Sequence, residues 1–309
     1  MMAARRLDPD PQAFFHTPVM LNEVLAALAG TSGVLVDATA GGAGHSSALL
    51  RALPEARLFA FDRDPRAVAA SRERLAEFGE RATVTHARFD EIDGVLDAAG
   101  VERIDGLLAD LGVSSEQLVD PERGLSFRNA GPIDMRMDPT RGETALELIE
   151  RLSQEELADV IFELGEERAS RRIARCIKQS LGAERLTDTL ELRRAVVRAV
   201  GPRRVGGVDP ATRTFQALRM AVNGEMTQLK TVLGLLRRRM ALGGVAAIIS
   251  FHSLEDRLVK RELYAKACWQ PLSKKPLVAS DEETETNARS RSAKLRAARR
   301  VAPECEDTE

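Results

Sequence analysis

VLVDATAGGAGHSSALL at residues 34–50, followed by LFAFDRDP at residues 58–65, decides the fold of this chain. An apolar run ends at Asp37, a turn of small residues follows at 40–44, and a second apolar run ends at Asp62. This order predicts a strand, a glycine-rich turn, a helix and a second strand, with a carboxylate at the tip of each strand. Parallel α/β sheets bind nucleoside-bearing cofactors at such a turn.

Composition indicates a folded chain of about two domains. The 309 residues are 44% hydrophobic and 30% charged, and the net charge of −2 gives no indication of the partner. Three distant cysteines form neither a zinc motif nor a disulfide framework, which fits a reducing compartment. With no apolar signal region and no apolar run of about 18 residues, we expect a cytoplasmic protein with no membrane partner and no metal site.

Short apolar runs predict the strands of a sheet that is buried on both faces. We expect strands at 34–38, 57–62, 83–87, 104–111 and 244–251. Helical patterns separate the first four runs, and alternation of strands and helices with short links is typical of a doubly wound sheet. The predicted fold class is therefore α/β, with a mainly parallel, Rossmann-like sheet.

The fourth and fifth predicted strands lie far apart in the chain, at 104–111 and 244–251, whereas a crossover needs only about a dozen residues. The intervening sequence has helical signals, such as the capping box of Ser153 and Glu156 before an apolar face that stops at Gly165. We therefore predict a discontinuous sheet domain at 1–112 and 213–309, with an inserted all-helical domain at 113–212.

The glycine turn leaves three interpretations open. Its order, Gly41, Gly42, Ala43 and Gly44, lacks the G-x-G-x-x-G register that cradles a dinucleotide pyrophosphate. A turn for S-adenosylmethionine needs no phosphate cradle, and a purely structural turn is the third possibility. In the methyl-donor interpretation Asp37 would lie near the methionyl amino group and Asp62 would accept the ribose hydroxyls.

Further candidates follow the glycine turn and the last two predicted parallel strands. His45 is either a cofactor contact or an ordinary polar residue at the start of a helix. Asp110 ends the fourth strand, where ligands of doubly wound sheets bind, and Gln117 could reach back towards the cofactor. After the fifth strand, His252 and Asp256 are candidate catalytic groups, although Asp256 with Ser253 also fits a helix cap and His252 a structural role.

Three groups of basic residues indicate a surface that could hold phosphates, although each could be only a solvated face. The first two groups are Arg193, Arg194, Arg198, Arg203, Arg204 and Arg213, and Arg168, Arg171, Arg172, Arg175 and Lys178. The third is RSRSAKLRAARR at 289–300. Because only 4% of the residues are aromatic, we expect recognition of nucleic acid by shape and phosphate rather than by stacking.

Eight segments together resemble the MraW family of bacterial 16S rRNA cytosine-N4 methyltransferases, and they extend over nearly the whole chain. They are HTPVMLNEVL (16–25), DATAGGAGHS (37–46), DLGVSSEQL (110–118), RGLSFRNAGPIDMRMD (123–138), GEERASRRIA (165–174), PATRTFQALRMAVN (210–223), ISFHSLEDRLVK (249–260) and RSRSAKLRAARR (289–300). GPIDMRMD and SFHSLEDR are highly specific, whereas the glycine turn alone is not. The resemblance implies a class I methyltransferase fold, S-adenosylmethionine as methyl donor, and transfer to N4 of a cytidine in the decoding region.

The resemblance also implies roles for particular residues. Ala43, Gly44 and His45 would line the methionine end of the cofactor, Asp62 would bind its ribose, and Phe89 would stack on or flank its adenine. Asp110 and Gln117 would complete the site. The chain departs from the family pattern at Ala43, where glycine is usual, and at Asp209, where histidine is usual.

Mechanistically, we expect Asp110 to lie near the cofactor and the target amine, with His252 or Asp256 nearby. The expected partner is 16S rRNA, in the small ribosomal subunit or a late assembly intermediate, and a homodimer is left open. Competing hypotheses are an NAD-dependent oxidoreductase, against which the glycine register argues, and a non-catalytic rRNA-binding assembly factor. A DNA amino-methyltransferase is a weaker fourth option, because its proline-rich motif is absent after Asp110.

Overall fold

A computed structural model describes residues 18–202, 207–264 and 267–303 of the chain. Within these ranges the strands are β1 Val34–Asp37, β2 Arg57–Asp62, β3 Ala82–His86, β4 Ile104–Asp110, β5 Met240–Ser250, β6 Trp269–Pro271 and β7 Lys294–Arg300. They form one sheet of order β3-β2-β1-β4-β5-β7-β6, in which the first five strands are parallel and β7 is antiparallel to both neighbours. The predicted mainly parallel, Rossmann-like α/β fold is confirmed.

The helices connect the strands on both sides of this sheet and form the insertion after β4. They are α1 Leu21–Leu28, α2 Gly44–Ala52, α3 Pro65–Leu75, α4 Ile92–Ala98, α5 Ser115–Val119, α6 Ala145–Arg151, α7 Gln154–Gly165, α8 Ser170–Gly182, α9 Thr189–Val200, α10 Thr212–Asn223, α11 Glu225–Arg239, α12 Ser253–Leu263 and α13 Asp281–Thr286. The predicted capping box of Ser153 with Glu156 is present, and α7 ends at Gly165 as expected.

The apolar periodicity from Phe215 to Leu236 predicts one long helix, whereas the structure forms two helices there. Gly224 lies between α10 and α11 in the left-handed region, at φ 59°, and so ends the first helix. Phe215 of α10 belongs to the core of the helical insertion, whereas Leu229 of α11 belongs to the core beside the sheet. An apolar periodicity that continues through both helices does not reveal this change of packing partner.

The insertion has a hydrophobic core of its own, whose buried residues extend from Val113 to Leu218. Two further clusters cover the two faces of the sheet. The core of the insertion reaches six residues past the predicted boundary at 212, because α10 packs against α7 before the chain returns to the sheet. The division into a sheet domain and a helical RNA-recognition domain stays a prediction.

The prediction for the basic run 289–300 needs correction, because its second half lies in an interior strand. β7 lies between β5 and β6, and Arg296 and Arg300 are 5% and 2% exposed. Arg296 binds the carboxylate of Asp256, and the guanidinium of Arg300 lies 5.2 Å from the ring centre of Trp269. Because Asp256 and Trp269 bind these two guanidinium groups, the groups can be buried. Arg296 and Arg300 therefore do not belong to a phosphate-binding surface.

Cys268 is disulfide-bonded, so the prediction that the cysteines form no disulfide is wrong for this residue, while Cys176 is free. Arg203 and Arg204 of the first predicted basic group lie outside the described residues. In the part of the chain that the structure describes, no helix is both long and apolar enough to cross a membrane.

Candidate functional site

A cavity of about 860 Å³, including its open mouth, lies at the carboxyl ends of the parallel strands. Strand order reverses here, since β1 connects onwards to β2 on one side while β4 lies on the other. Ligands of open α/β sheets bind at this switch point. Of the predicted site residues, Gly41, Asp62, Phe89, Asp110 and Gln117 line the cavity.

Asp62 ends β2 with its carboxylate fixed by two backbone amides. Gly41 N donates to Oδ2 and Asp64 N donates to Oδ1, both at 2.8 Å. Burial raises the pKa of Asp62 to about 6, against the opposing effect of these two hydrogen bonds. The glycine turn and the tip of β2 are thereby held together, and the carboxylate keeps lone pairs for a ligand hydroxyl.

Asp110 ends β4 next to β1, and its side chain is nearly enclosed. Its backbone amide donates to Thr39 Oγ1 at 2.6 Å, which ties the tips of the two central strands together. The residue is 7% exposed, and its Oδ1 atom makes no hydrogen bond with any residue that the structure describes. A buried carboxylate oxygen without a donor is costly, so this atom is available to a donor from a ligand.

Gln117 has a local structural role as well as its place in the cavity wall. Its Oε1 accepts from Ser114 N and its backbone amide donates to Ser114 Oγ, which completes the capping box of α5. Its Nε2 donates to Asp64 Oδ2 at 2.8 Å. Gln117 therefore links the insertion to the turn after β2, and Phe89 supplies apolar surface after β3.

The other predicted cofactor residues do not line the cavity. Asp37 is buried behind the turn, where Ser46 Oγ donates to it at 2.6 Å, and burial raises its pKa. The His45 ring contacts Val19 O at 2.9 Å, so it links α2 to the segment before α1. Ala43 and Gly44 form the start of α2, with Ala43 at φ 55°. These four residues support the turn instead of facing the cavity.

Asp256, a predicted catalytic residue, does not line the cavity, and its carboxylate points to β7. Arg296 Nε donates to Oδ1 at 2.7 Å, and Lys294 Nζ lies 3.6 Å from Oδ2. The predicted cap is corrected: His252, not Ser253, precedes α12, and its Nδ1 accepts from Glu255 N at 3.4 Å. Glu255, the neighbour of Asp256 on α12 and about 100° around the helix from it, lines the cavity instead.

His252 does not itself line the cavity, but with Glu225 and Glu255 of the cavity wall it forms a group that could offer ligand atoms to a cation. Atoms of Glu225, His252 and Glu255 lie within 4.8 Å of one another, and His252 Nε2 is 3.1 Å from Glu255 Oε1. Arg219 binds Glu225 with both Nε and Nη2, at 2.7 and 2.9 Å. This guanidinium already compensates one of the two negative charges.

Sequence reasoning missed the contribution of the GPIDMRMD segment to the cavity. Met137 lines the wall, and its backbone amide donates to Asn223 Oδ1 at 2.8 Å. Asn223 Nδ2 in turn donates to Met135 O, and Arg63 donates to Asn223 O at 2.9 Å. Arg123 and Asp64 form a buried ion pair beside these contacts. The insertion therefore closes one side of the cavity through paired polar groups.

Arg289 is the second contribution that was missed. It precedes β7 in a short helical turn at 288–292, and its side chain, 12% exposed, reaches the cavity. Its Nη2 lies 3.7 Å from Asp110 Oδ1, and its guanidinium lies 5.0 Å from the ring centre of Phe251. The only signal in the sequence was its position in the basic run, which does not distinguish it from its neighbours.

Comparison with known proteins places the chain in a family. The MraW methylase family matches residues 13–301. A relative from Sorangium cellulosum, named ribosomal RNA small subunit methyltransferase H, is 62% identical over 95% of this chain and 93% of its own length. A relative of the same name from Synechococcus elongatus is 47% identical over 95% and 97%.

Among solved structures, an rRNA methylase from Streptococcus thermophilus shares 11% identity with a TM-score of 0.43, covering 92% of this chain and 95% of that one. This likeness is too low to carry an argument. The family match and the two relatives extend over almost the whole chain, including both halves of the sheet and the insertion between them. The protein is therefore a member of the MraW methylase family, with a Rossmann-like class I methyltransferase fold.

Proposed function

We propose that the protein transfers a methyl group from S-adenosylmethionine to N4 of a cytidine in the decoding region of 16S rRNA. The observation that carries the proposal is Asp110: a carboxylate at the tip of β4, nearly enclosed in the cavity, with one oxygen that accepts no hydrogen bond from the described residues. This oxygen can accept a hydrogen bond from an exocyclic amine. Membership of a methylase family whose relatives carry the name of an rRNA methyltransferase supports the same conclusion.

The cavity fits a nucleoside that carries a positive charge. Asp62 offers a fixed carboxylate to hydroxyl groups, Phe89 offers an apolar surface to a base, and Asp110 and Glu255 are the lining carboxylates that could attract a cation, since Arg219 already pairs with Glu225. When bound, S-adenosylmethionine supplies an electrophilic methyl group on a sulfonium that leaves as a neutral thioether. Its ribose, adenine and sulfonium match the fixed carboxylate, the apolar surface and the acidic side chains, respectively.

The amine of cytosine is a weak nucleophile, because its lone pair is delocalised into the ring. Asp110 would hold this amine through its free oxygen and so fix the direction of the lone pair. As the nitrogen becomes positive, the buried carboxylate would stabilise the developing charge through a hydrogen bond and take up the proton that the nitrogen loses once the methyl group is bonded to it. His252 is proposed as a nearby positioning group, because it contacts Glu255 in the cavity wall.

The helical insertion is proposed to hold the surrounding rRNA while the target base leaves its stack. Exposed arginines on α8, namely Arg171, Arg172 and Arg175, form one basic face of the insertion. Some members of the predicted basic groups are occupied instead: Arg193 pairs with Asp209, and Lys178 donates to Ile149 O. We therefore assign phosphate binding to the exposed face of α8.

The experiment that tests the proposal is methylation of small subunits from cells that lack the modification. The protein is incubated with labelled S-adenosylmethionine, and the modified nucleotide is located by mass mapping after nuclease digestion. We expect a single added methyl on N4 of one decoding-region cytidine. A methyl at another nucleotide would overturn the position, and no transfer to any substrate would favour the assembly-factor hypothesis.

The same assay distinguishes the forms of the substrate. Naked 16S rRNA, a late assembly intermediate and the finished subunit are compared at equal concentration, and we expect transfer with one of the two particles. Light scattering of the protein alone tests the homodimer that the sequence left open.

A further inference from the structure

Arg289 is placed in the cavity by a part of the fold that lies outside the parallel strands. The turn at 288–292 precedes β7, and Ser290 within it is buried, with its hydroxyl donating to Asn287 O at 2.8 Å. The guanidinium lies over the ring of Phe251, at the tip of β5. Aromatic faces favour a cation in this position and orient its plane.

Arg289 and Asp110 form an unusual pair. Nη2 and Oδ1 are 3.7 Å apart, close enough for attraction but too far for a hydrogen bond. Oδ1 accepts no hydrogen bond from another described residue. Asp110 Oδ1, an acceptor, and the Arg289 guanidinium, a charged donor, thus lie side by side in the cavity. One small planar group could form a hydrogen bond with each of them.

Such a pair is complementary to one edge of cytosine. Cytosine presents the N4 amine as a donor beside the ring nitrogen N3 as an acceptor, whereas uracil presents an acceptor beside a donor. We propose that Asp110 accepts from N4 and Arg289 donates to N3, so that the two residues select cytosine over uracil at the target position. This inference rests on the proposed function and names the group that recognises its substrate base.

The surroundings of Arg289 favour the base over the cofactor as its partner. The ribose-side carboxylate, Asp62, is at the tip of β2, whereas Arg289 packs on Phe251 at the tip of β5, two strands beyond β1. Arg289 also acts on the insertion: burial raises the pKa of Glu116 on α5, and the positive charge of Arg289 opposes this rise. It therefore lies where the sheet meets the segment proposed to hold rRNA.

The test is a cycle that changes the protein and the base separately. Small subunits are reconstituted with cytidine or 3-deazacytidine at the target position, so that N3 is replaced by CH while the amine is kept. Single-turnover rates at saturating S-adenosylmethionine and subsaturating subunits are measured for the wild type, Arg289→Met and Arg291→Met. Arg291 is the matched control, because it belongs to the same turn but is exposed and donates to Thr284 O.

For the wild type we expect 3-deazacytidine to lower the rate about 10- to 100-fold more than it does for Arg289→Met, as for loss of a charged hydrogen bond. Any change in intrinsic amine reactivity is common to both enzymes and cancels in this ratio. Arg291→Met should show the same penalty as the wild type. An equal penalty in the wild type and in Arg289→Met would overturn the inference.

Two readouts separate the possible failures. Cofactor affinity, measured by calorimetry, should stay within about threefold of the wild type in Arg289→Met, because the proposed partner of Arg289 is the base. A tenfold loss would correspond to about 1.4 kcal/mol of binding free energy. A large loss of that affinity with an unchanged base penalty would assign Arg289 to the cofactor instead. If the wild type fails to methylate N4 of natural cytidine, the proposed function itself fails. If Arg289→Met does not fold, Arg289→Ala is used in its place.

Discussion

Ala43 occupies the cap position of α2 in a backbone region that alanine disfavours. It lies at φ 55° and ψ 29° and is fully buried beside the glycine turn. The left-handed conformation costs an L-residue about 1–2 kcal/mol, whereas glycine adopts it freely. The departure from the family pattern is therefore a local cost to stability, and the turn is held in place by its neighbours.

We expect Ala43→Gly to raise the free energy of unfolding by about 0.5–1 kcal/mol, because relief of the left-handed strain exceeds the extra chain entropy of glycine. Urea titration followed by circular dichroism measures the change. The matched control is Ala48→Gly in the middle of α2, where the same substitution should destabilise by about 1 kcal/mol. Shifts of the same sign for both variants would contradict the strain at Ala43.

Asp62 gives the cofactor site a dependence on pH. Its pKa of about 6 in the folded protein is raised by burial from an unfolded value of about 3.9, so the native state binds the proton more tightly. Ribose hydroxyls donate to the ionised carboxylate, so protonation competes with the ligand. Affinity for S-adenosylmethionine should be full above pH 7 and fall towards tenfold per pH unit well below pH 6.

Calorimetry between pH 5 and 8 tests this dependence, with Asp62→Asn as the control. The amide variant should bind weakly at every pH, without a transition near pH 6. The same linkage predicts that the unliganded wild type loses stability as the pH rises from about 4 to 6, because the native state then gives up a proton that it holds more tightly than the unfolded chain. A transition that persists in the variant would assign it to another group.

Asp110→Asn should lower the rate of methyl transfer about 10²–10⁴-fold at saturating cofactor, because the amide carries no charge to stabilise the developing ammonium. The fold should be retained, since the backbone amide of residue 110 still donates to Thr39. Rapid-quench measurement of a single turnover separates this step from product release. Full transfer by this variant would exclude the proposed role.

At the residue scale, two of the three acids that follow apolar runs were the part of the site that the sequence could predict, whereas Asp37 lies behind the turn. Asp62 and Asp110 end buried parallel strands, and the carboxyl ends of such strands meet at one edge of the sheet. His45 could not be assigned in the same way, because the direction of its side chain depends on α1, which packs behind the turn. Arg289 lies far from both acids in sequence, and only the sheet order brings it near them.

At the scale of elements, β7 explains why the second candidate acid was misplaced. Asp256 and Glu255 are adjacent on α12, and a helix turns adjacent side chains about 100° apart. β7 provides Arg296 and Lys294 on one side of α12, and the cavity lies on the other. The sequence did not indicate β7 because three of its residues are arginines that are buried or half-buried in the fold.

Asp256→Asn should therefore act on stability rather than on methyl transfer. Loss of the carboxylate leaves the buried guanidinium of Arg296 without its ion partner, at a cost of roughly 2–4 kcal/mol. Thermal and urea unfolding measure this loss, and single-turnover transfer at a temperature where the variant is folded should change less than about threefold. A large fall in transfer with unchanged stability would restore Asp256 to a catalytic role.

At the scale of the whole molecule, the cofactor cavity and the proposed rRNA surface belong to different parts of one chain. Neutralising the exposed face of α8 with Arg171→Gln, Arg172→Gln and Arg175→Gln should weaken binding to small subunits while leaving cofactor affinity unchanged. The slope of log affinity against log salt should fall by about 0.7–0.9 for each rRNA phosphate that the variant no longer neutralises. Filter binding at several salt concentrations measures both quantities.

The control for this triple variant removes the same charge from the sheet domain. Arg51, Arg57 and Arg72 are exposed there, away from the cavity. Changing these three to glutamine should leave the slope within error of the wild-type value. Equal effects of the two triple variants would show that only the net charge matters and that α8 is not the contact surface.

The position of β7 has a consequence for biosynthesis. It is the last strand of the described chain, yet it pairs with β5 on one side and β6 on the other. A ribosome therefore releases β5 with one edge exposed, and that edge stays open until residues 294–300 have emerged. Arg289 arrives with the same segment, so a nascent chain that stops earlier has an open sheet and lacks one wall of its cavity. Completion of the sheet and completion of the site are thus a single late event in synthesis.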